Sequence, residues 1–157
     1  MAEQEIKTEE ETKVAIVNGK DLGISTKHSI AICNFIRGKD VDSAISMLEP
    51  VLQKKKAVPM KGEIPHRKGK IMSGRYPINA TKIFIQLLKS LKTNAIAKEI
   101  EFEKYVIFCK ANKASRPYRR YTRFGSRQFK RTHVELRLTK KPETKNLLQK
   151  VAKDNTL

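Results

Sequence analysis

The segment KYVIFCKANKASRPYRRYTRFGSRQFKRTHV, from Lys104 to Val134, contains ten Lys or Arg residues and no Asp or Glu. Between Lys110 and His133 it also has no Val, Ile, Leu or Met. Because unpaired charges resist transfer into a protein interior, this segment cannot form part of a core. Between Lys110 and His133 lie four of the chain's ten Phe and Tyr residues, Tyr118, Tyr121, Phe124 and Phe129, and cations interleaved with aromatic faces suit phosphates and bases together. We therefore predict a nucleic-acid-binding arm.

Two predicted strands flank this segment. The first is predicted over Tyr105 to Cys109. The second is predicted over 134–139, where apolar and polar residues alternate as expected of a half-buried strand with one solvent-exposed face. The simplest connection is a long antiparallel hairpin, the basic arm (about residues 104–139), whose base joins a sheet and whose outer length leaves the domain. Because an isolated hairpin is marginal and this one repels itself, its order should depend on a polyanion.

Three amphipathic helices are predicted before the arm, each with apolar residues at helical spacing. N-cap residues, a stop glycine and prolines set their bounds: Ser25 or Thr26 to near Arg37-Gly38, Asp40 to a kink or end at Pro50, and Pro77 to about Ala97. An apolar run at 14–17, followed by an Asn18-Gly19 turn signal, predicts one or two short strands at the start. The fold class is α+β, with three helices packed on a small antiparallel sheet and a long extended basic β-hairpin.

The chain divides into one domain with two appendages. Residues 1–13 are acidic and predict a disordered tail. Residues 14–140 form a single α+β RNA-binding domain that includes the arm and a basic loop at 53–76. Residues 141–157 form a C-terminal tail, either a short amphipathic helix or a frayed end, to which the sequence assigns no role.

The basic loop contains eight Lys or Arg residues against one acid, Glu63, and its Pro and Gly residues break regular structure. Loops of this length in compact domains are usually functional or disordered. One interpretation is contact with phosphates, through Arg67, Lys68, Lys70 and Arg75. The other is a flexible, solvated loop.

The chain has 157 residues, a net charge of +18 and a pI near 10.1, which favours a polyanionic partner: nucleic acid, an acidic protein or anionic lipid. Lipid is the weakest of the three, since no stretch approaches the 18 or so apolar residues of a spanning helix, and we expect no membrane partner. Cys33 and Cys109 are far apart in sequence and form no metal-ligand spacing with the three histidines. We expect two buried or half-buried thiols in a reducing cytosol, and no metal.

Catalytic motifs are absent from the sequence: it has no P-loop, no GxGxxG after a strand, no HExxH and no GxSxG. Ser25 and His28 are one helical turn apart, but capping explains Ser25 better than nucleophilic catalysis. His133 is either an RNA contact or a structural hydrogen-bond donor. We predict that the chain is not an enzyme and needs no cofactor.

Several segments, in this order, resemble the universal large-subunit ribosomal protein twenty-two family, over roughly residues 14 to 140. They are Leu22-Gly-Ile-Ser-Thr-Lys27, Phe35-Ile-Arg-Gly-Lys-Asp-Val-Asp-Ser-Ala-Ile-Ser-Met-Leu48, Gly74-Arg-Tyr-Pro77, Lys92-Thr-Asn-Ala95 and His133-Val-Glu-Leu-Arg-Leu138. The long basic loop between the second and third helices is similar to that of the archaeal and eukaryotic branch.

The resemblance implies a structural constituent of the large ribosomal subunit, located in the cytoplasm, with ribosomal RNA, neighbouring ribosomal proteins and the nascent polypeptide as partners. It implies that the arm threads ribosomal RNA and that its tip lines the polypeptide exit tunnel. The arm residues expected to hold RNA phosphates are Lys110, Lys113, Arg116, Arg119, Arg120, Arg123, Arg127, Lys130 and Arg131. The tip residues expected to face the nascent chain are Arg120, Tyr121, Thr122, Arg123, Phe124 and Gly125.

A second hypothesis is a free-standing architectural or chaperone-type protein that binds nucleic acid through a basic β-arm. The two differ in partner: a ribosomal protein occurs at one copy per large subunit, whereas an architectural protein occurs on chromosomal DNA.

Overall fold

The computed structural model describes residues 14–61, 73–101, 104–115, 119, 123 and 128–141. This part of the chain contains three helices and five strands. The helices are α1 (Thr26–Ile36), α2 (Val41–Leu52) and α3 (Ile78–Ala97), and the strands are β1 (Ile16–Leu22), β2 (Val58–Pro59), β3 (Gly74–Arg75), β4 (Tyr105–Lys113) and β5 (Thr132–Lys140). The predicted α+β class is confirmed.

The main sheet has the order β1-β5-β4, and both of its pairs are antiparallel. β5 is therefore the middle strand, and its residues alternate between buried and half-buried along most of its length. The register of β4 with β5 runs without a break from Tyr105 opposite Lys140 to Lys113 opposite Thr132. The base of the arm thus joins the sheet, as predicted.

Helix α1 packs on β4 and ends where the sequence predicts. Ser25 is its N-cap residue, and Gly38 follows its end with φ +74°, a conformation that glycine adopts without steric cost. Gly38 N–H donates to the Ile107 carbonyl, and Ile107 N–H donates to the Lys39 carbonyl, both at 2.9 Å. The turn after α1 therefore covers the outer edge of β4, which would otherwise expose unpaired backbone groups.

Helix α3 packs on β1 and α2, and it supplies the centre of the core. Phe84, Leu88 and Leu91 are fully buried, together with Leu48 of α2 and Leu136 of β5. The start of α2 at Asp40 is confirmed. Of the two outcomes predicted at Pro50, a kink or an end, the end is wrong, because the helix continues to Leu52. A proline so close to the C-terminal end disturbs only the last turn, and its carbonyl still accepts hydrogen bonds from the N–H groups of Lys55 and Lys56.

The Asn18-Gly19 turn predicted near the N-terminus is wrong. β1 runs straight through these residues, and its irregularity comes later, between Gly19 and Leu22, where Asp21 has φ +53°. Gly19 is buried, and a Cβ atom there would lie 2.7 Å from Leu22 Cδ1. The glycine therefore serves close packing within a strand, because pairing with β5 overrides the local turn preference.

The expectation of two free thiols is also wrong. Cys33 of α1 and Cys109 of β4 form a disulfide, with their Cα atoms 5.2 Å apart. Both residues are buried, as predicted. Their separation of 76 residues in sequence gave no sign of the pairing, which arises because α1 packs directly on β4.

The two ends of the basic loop are held together, because β2 pairs antiparallel with β3. Val58 is fully buried and Met60 nearly so, so this end of the loop belongs to the folded domain. Residues 62–72, the N-terminal tail at 1–13, the C-terminal tail beyond 141 and most of the arm's tip lie outside the described residues.

Candidate nucleic-acid interface

Cations from different parts of the chain meet at the foot of the arm. A groove of about 370 Å³ lies between the start of α1 and the two strands of the arm, and we call it the root groove. None of the described residues that line it is acidic. Its lining consists of Ile24, Ser25, Thr26, Lys27, Lys113, Ala114, Gln128, Phe129, Lys130 and Arg131. Phe129 is 47% exposed, so the groove offers an aromatic ring among four cations.

Asp21, at the end of β1, anchors the return strand of the arm. Its carboxylate pairs with Arg131, with 2.7 Å between Oδ1 and Nη2, and its backbone N–H donates to His133 Nδ1 at 3.1 Å. His133 therefore makes a structural hydrogen bond, but through its ring as an acceptor and not as the predicted donor. Arg131 also donates to the Ser115 carbonyl across the hairpin. This network fixes the direction in which the arm leaves the sheet.

Thr132 ties the same point to α1. Its side chain is fully buried and donates to the Ile24 carbonyl at 2.9 Å. Its hydroxyl oxygen lies 2.8 Å from the hydroxyl oxygen of Thr26, in the first turn of α1. The floor of the root groove is therefore tied to the folded domain by buried hydrogen bonds.

A second pocket, of about 340 Å³, adjoins the root groove where the first turns of α1 and α3 meet, and we call it the His28 pocket. Burial holds the pKa of His28 below its ordinary value, and the positive charges of Lys130, Arg75 and Lys27 lower it further. Arg75 comes from the basic loop and Lys130 from the arm. The fold thus brings together two basic segments that are far apart in sequence.

The structure describes seven of the thirteen residues predicted to bind RNA. Lys110, Lys113, Arg119, Arg123, Lys130 and Arg75 are exposed, and Arg131 is half-buried against Asp21. Lys113, Lys130 and Arg131 meet in the root groove. The other six lie outside the described residues: Arg67, Lys68, Lys70, Arg116, Arg120 and Arg127. Of the six predicted tip residues, Arg123 is the one that the structure describes.

The sequence predictions missed Lys27, His28 and Phe129. In the sequence, Lys27 and His28 belong to a helix start, and Phe129 is one aromatic residue of the arm without a site of its own. The signal available is the basic dipeptide Lys27-His28 in the first turn of the helix, because a helix start collects anions at its N–H groups.

Two other classes of site are absent from the described ranges. No group of three or more His, Cys, Asp or Glu residues there is arranged to hold a metal ion. No helix in the same ranges is long and apolar enough to cross a bilayer.

Known proteins similar to this chain are ribosomal. A family model, described as ribosomal protein L22p/L17e, matches residues 17–139. The large ribosomal subunit protein uL22 of Archaeoglobus fulgidus is 38% identical over 120 residues, which cover 73% of this chain and 77% of that protein. The proteins of the same name from Methanococcus vannielii and Nanoarchaeum equitans are 40% and 37% identical, covering 59% and 78% of this chain and 64% and 76% of their own lengths.

These relatives are archaeal, in agreement with the branch that the long basic loop suggested. The family model spans the domain from β1 to β5, including the root groove and the arm. The chain therefore belongs to the ribosomal protein L22p/L17e family.

Proposed function

We propose that this chain, a structural constituent of the large ribosomal subunit, binds ribosomal RNA through the root groove and the basic arm. The arm threads between RNA segments, and its tip, residues 120–125, lines the polypeptide exit tunnel and meets the nascent chain. Neighbouring ribosomal proteins complete its surroundings. Membership of a family of structural ribosomal proteins also confirms the prediction that the chain is not an enzyme.

One observation carries the RNA-binding proposal: cations from α1, the basic loop and both strands of the arm converge on one face. Lys27, Arg75, Lys113 and Lys130 belong to four separate elements or connections, yet all lie near the foot of the arm. Like charges repel, so this arrangement raises the free energy of the isolated protein. A phosphate backbone laid across the face neutralises them and releases counterions, which is the main source of affinity for nucleic acid.

A pairing beyond the main sheet supports the extended arm. Arg119 is bridged antiparallel to Gln128, further from the sheet than the last β4–β5 pair at Lys113 and Thr132. The proposed tip residues, 120–125, lie between Arg119 and Gln128 in the sequence. This agrees with a hairpin that continues outward with its turn near Arg123.

The salt dependence of RNA binding tests the interface. The nine basic residues from Lys110 to Arg131, with the basic loop, should neutralise about 10 phosphates, so the slope of log K against log salt should be about −7 to −9. A fourfold rise in salt then weakens binding about 10⁴- to 10⁵-fold. Filter binding of the full chain to large-subunit RNA gives this slope. A slope near −2 would mean that most of these cations do not meet phosphates.

Co-sedimentation separates this proposal from the architectural alternative. We expect one copy per large subunit, retained through a mild salt wash. Recovery with chromosomal DNA and not with subunits would favour the free-standing DNA binder instead.

The tunnel assignment has its own test. A photo-crosslinking amino acid at position 123 should capture a stalled nascent chain in purified ribosomes, whereas the same group at the exposed Glu99, just beyond α3, should not. Equal capture from both positions, or from neither, would remove the tip from the tunnel wall.

A further inference from the structure

The His28 pocket brings together residues that no sequence segment connects. Its described lining contains no acidic side chain, and it includes His28 of α1, Lys130 of the arm and Asn79 of α3. We propose that the pocket binds a single phosphate group of the RNA backbone, held by Lys130 and His28 with the nearby charges of Arg75 and Lys27. This inference rests on the proposed RNA-binding function and names one subsite of it.

The electrostatics of the pocket favour an anion. The positive charges of Lys130, Arg75 and Lys27 all disfavour protonation of the His28 ring. They lower its pKa further than burial alone does. No carboxylate among the described lining residues offsets this field. A phosphate in the pocket supplies the missing negative charge, so the repulsion in the free protein becomes attraction in the complex.

The pocket also supplies hydrogen-bond donors. Ser25, at the N-cap of α1, makes no side-chain capping bond, so its hydroxyl group is not used for that purpose. The Asn79 amide and the Lys130 ammonium add donors from two other segments. The first turns of α1 and α3 both border the pocket, and their N–H groups add to the positive potential that the side chains establish.

The His28 pocket lies where the end of the basic loop and the foot of the arm come together. Arg75 comes at the end of the basic loop, and Lys130 lies just before β5, so a phosphate held here connects the loop to the foot of the arm. We expect this contact to fix the RNA backbone next to the place where the arm leaves the sheet.

The first test compares charge-matched variants of the full chain. For Lys130→Gln, the slope of log K against log salt for binding to large-subunit RNA should be less negative by about one, as expected for the loss of one phosphate contact. Lys89→Gln removes the same charge from an exposed position on α3 and should leave the slope unchanged. Equal slopes for the two variants would overturn the inference.

The second test uses His28 as a reporter in an NMR titration, with its signal assigned by loss in His28→Gln. A phosphate in the pocket should raise the pKa of His28 relative to the free protein, since the anion offsets the three cations. An increase with RNA, but not with inorganic phosphate at the same phosphate concentration, supports a backbone subsite. An increase with both supports a phosphate site open to either source, and an increase with neither overturns it.

The two proposals fail in different ways. If the chain binds RNA with a steep salt dependence but the His28 pKa does not move, the subsite is wrong and the RNA-binding function stands. If the chain does not bind large-subunit RNA at all, the proposed function itself is wrong.

Discussion

Replacing Thr132 by Val tests whether the foot of the arm is part of the folded core. Valine has nearly the same shape as threonine but cannot donate a hydrogen bond. The fully buried Thr132 hydroxyl donates to the carbonyl of Ile24, a residue only 3% exposed, so the variant leaves that carbonyl without its partner. An unsatisfied buried acceptor costs about 1–3 kcal/mol, which should lower Tm by about 2–12 °C in a chain of this size.

Urea unfolding followed by circular dichroism measures this loss. We expect a lower midpoint with an unchanged m-value, because the surface exposed on unfolding stays the same. Thr93→Val is the matched control, since the Thr93 hydroxyl is exposed on α3 and donates to the Lys89 carbonyl within the helix. Its cost should stay within about 0.5 kcal/mol.

A double-mutant cycle with Thr26→Val sharpens the result. The hydroxyls of Thr26 and Thr132 contact each other, so the double variant should lose less stability than the sum of the two single variants. The reasoning is refuted if Thr132→Val costs no more than Thr93→Val, or if the two sites prove additive. Either result would mean that the arm meets the domain without a specific anchor.

Three further predictions follow from features described above. Deletion of residues 114–130 should leave the helices folded and protected from hydrogen exchange, and loss of that protection would place the arm within the core. Because the pKa of His28 is lowered in the folded state, the unfolded chain takes up the proton first, so stability should be full above about pH 6.5 and should fall as the pH drops below it. His28→Gln removes this contribution, so the stability of the variant relative to the parent should rise as the pH is lowered from 7.5 to 5. A stability difference that does not change with pH would contradict the assignment. Reduction of the Cys33–Cys109 disulfide should lower the free energy of unfolding by about 2–4 kcal/mol, whereas the Cys33→Ala/Cys109→Ala variant should not respond to the reductant.

The helices and the base of the arm could be predicted because their signals are local. Spacing of apolar residues identified α3, the N-cap position at Asp40 set the start of α2, and alternation over 134–139 identified β5. These predictions are confirmed because the apolar face defined by the sequence of each element is the face that the fold buries.

The features that could not be predicted depend on which elements meet. Gly19 reads as a turn until β5 lies beside it, and Cys33 reads as a free thiol until β4 does. His28 has no special feature in its own segment, because the charges that define its pocket come from Arg75 and Lys130, 47 and 102 positions away in the numbering. Sequence composition therefore predicted a nucleic-acid partner, whereas the proposed phosphate subsite could be inferred only from the fold.

The central position of β5 has a mechanical consequence. A pull on the segment that joins β4 to β5, along the strand axis, draws both strands together and loads the hydrogen bonds between β5 and β1 in shear, so many of those must break together and not one after another. In the proposed RNA complex, tension on the arm would therefore fall on the β1–β5 pair. The arm then bears that tension without the stepwise loss of the β1–β5 hydrogen bonds.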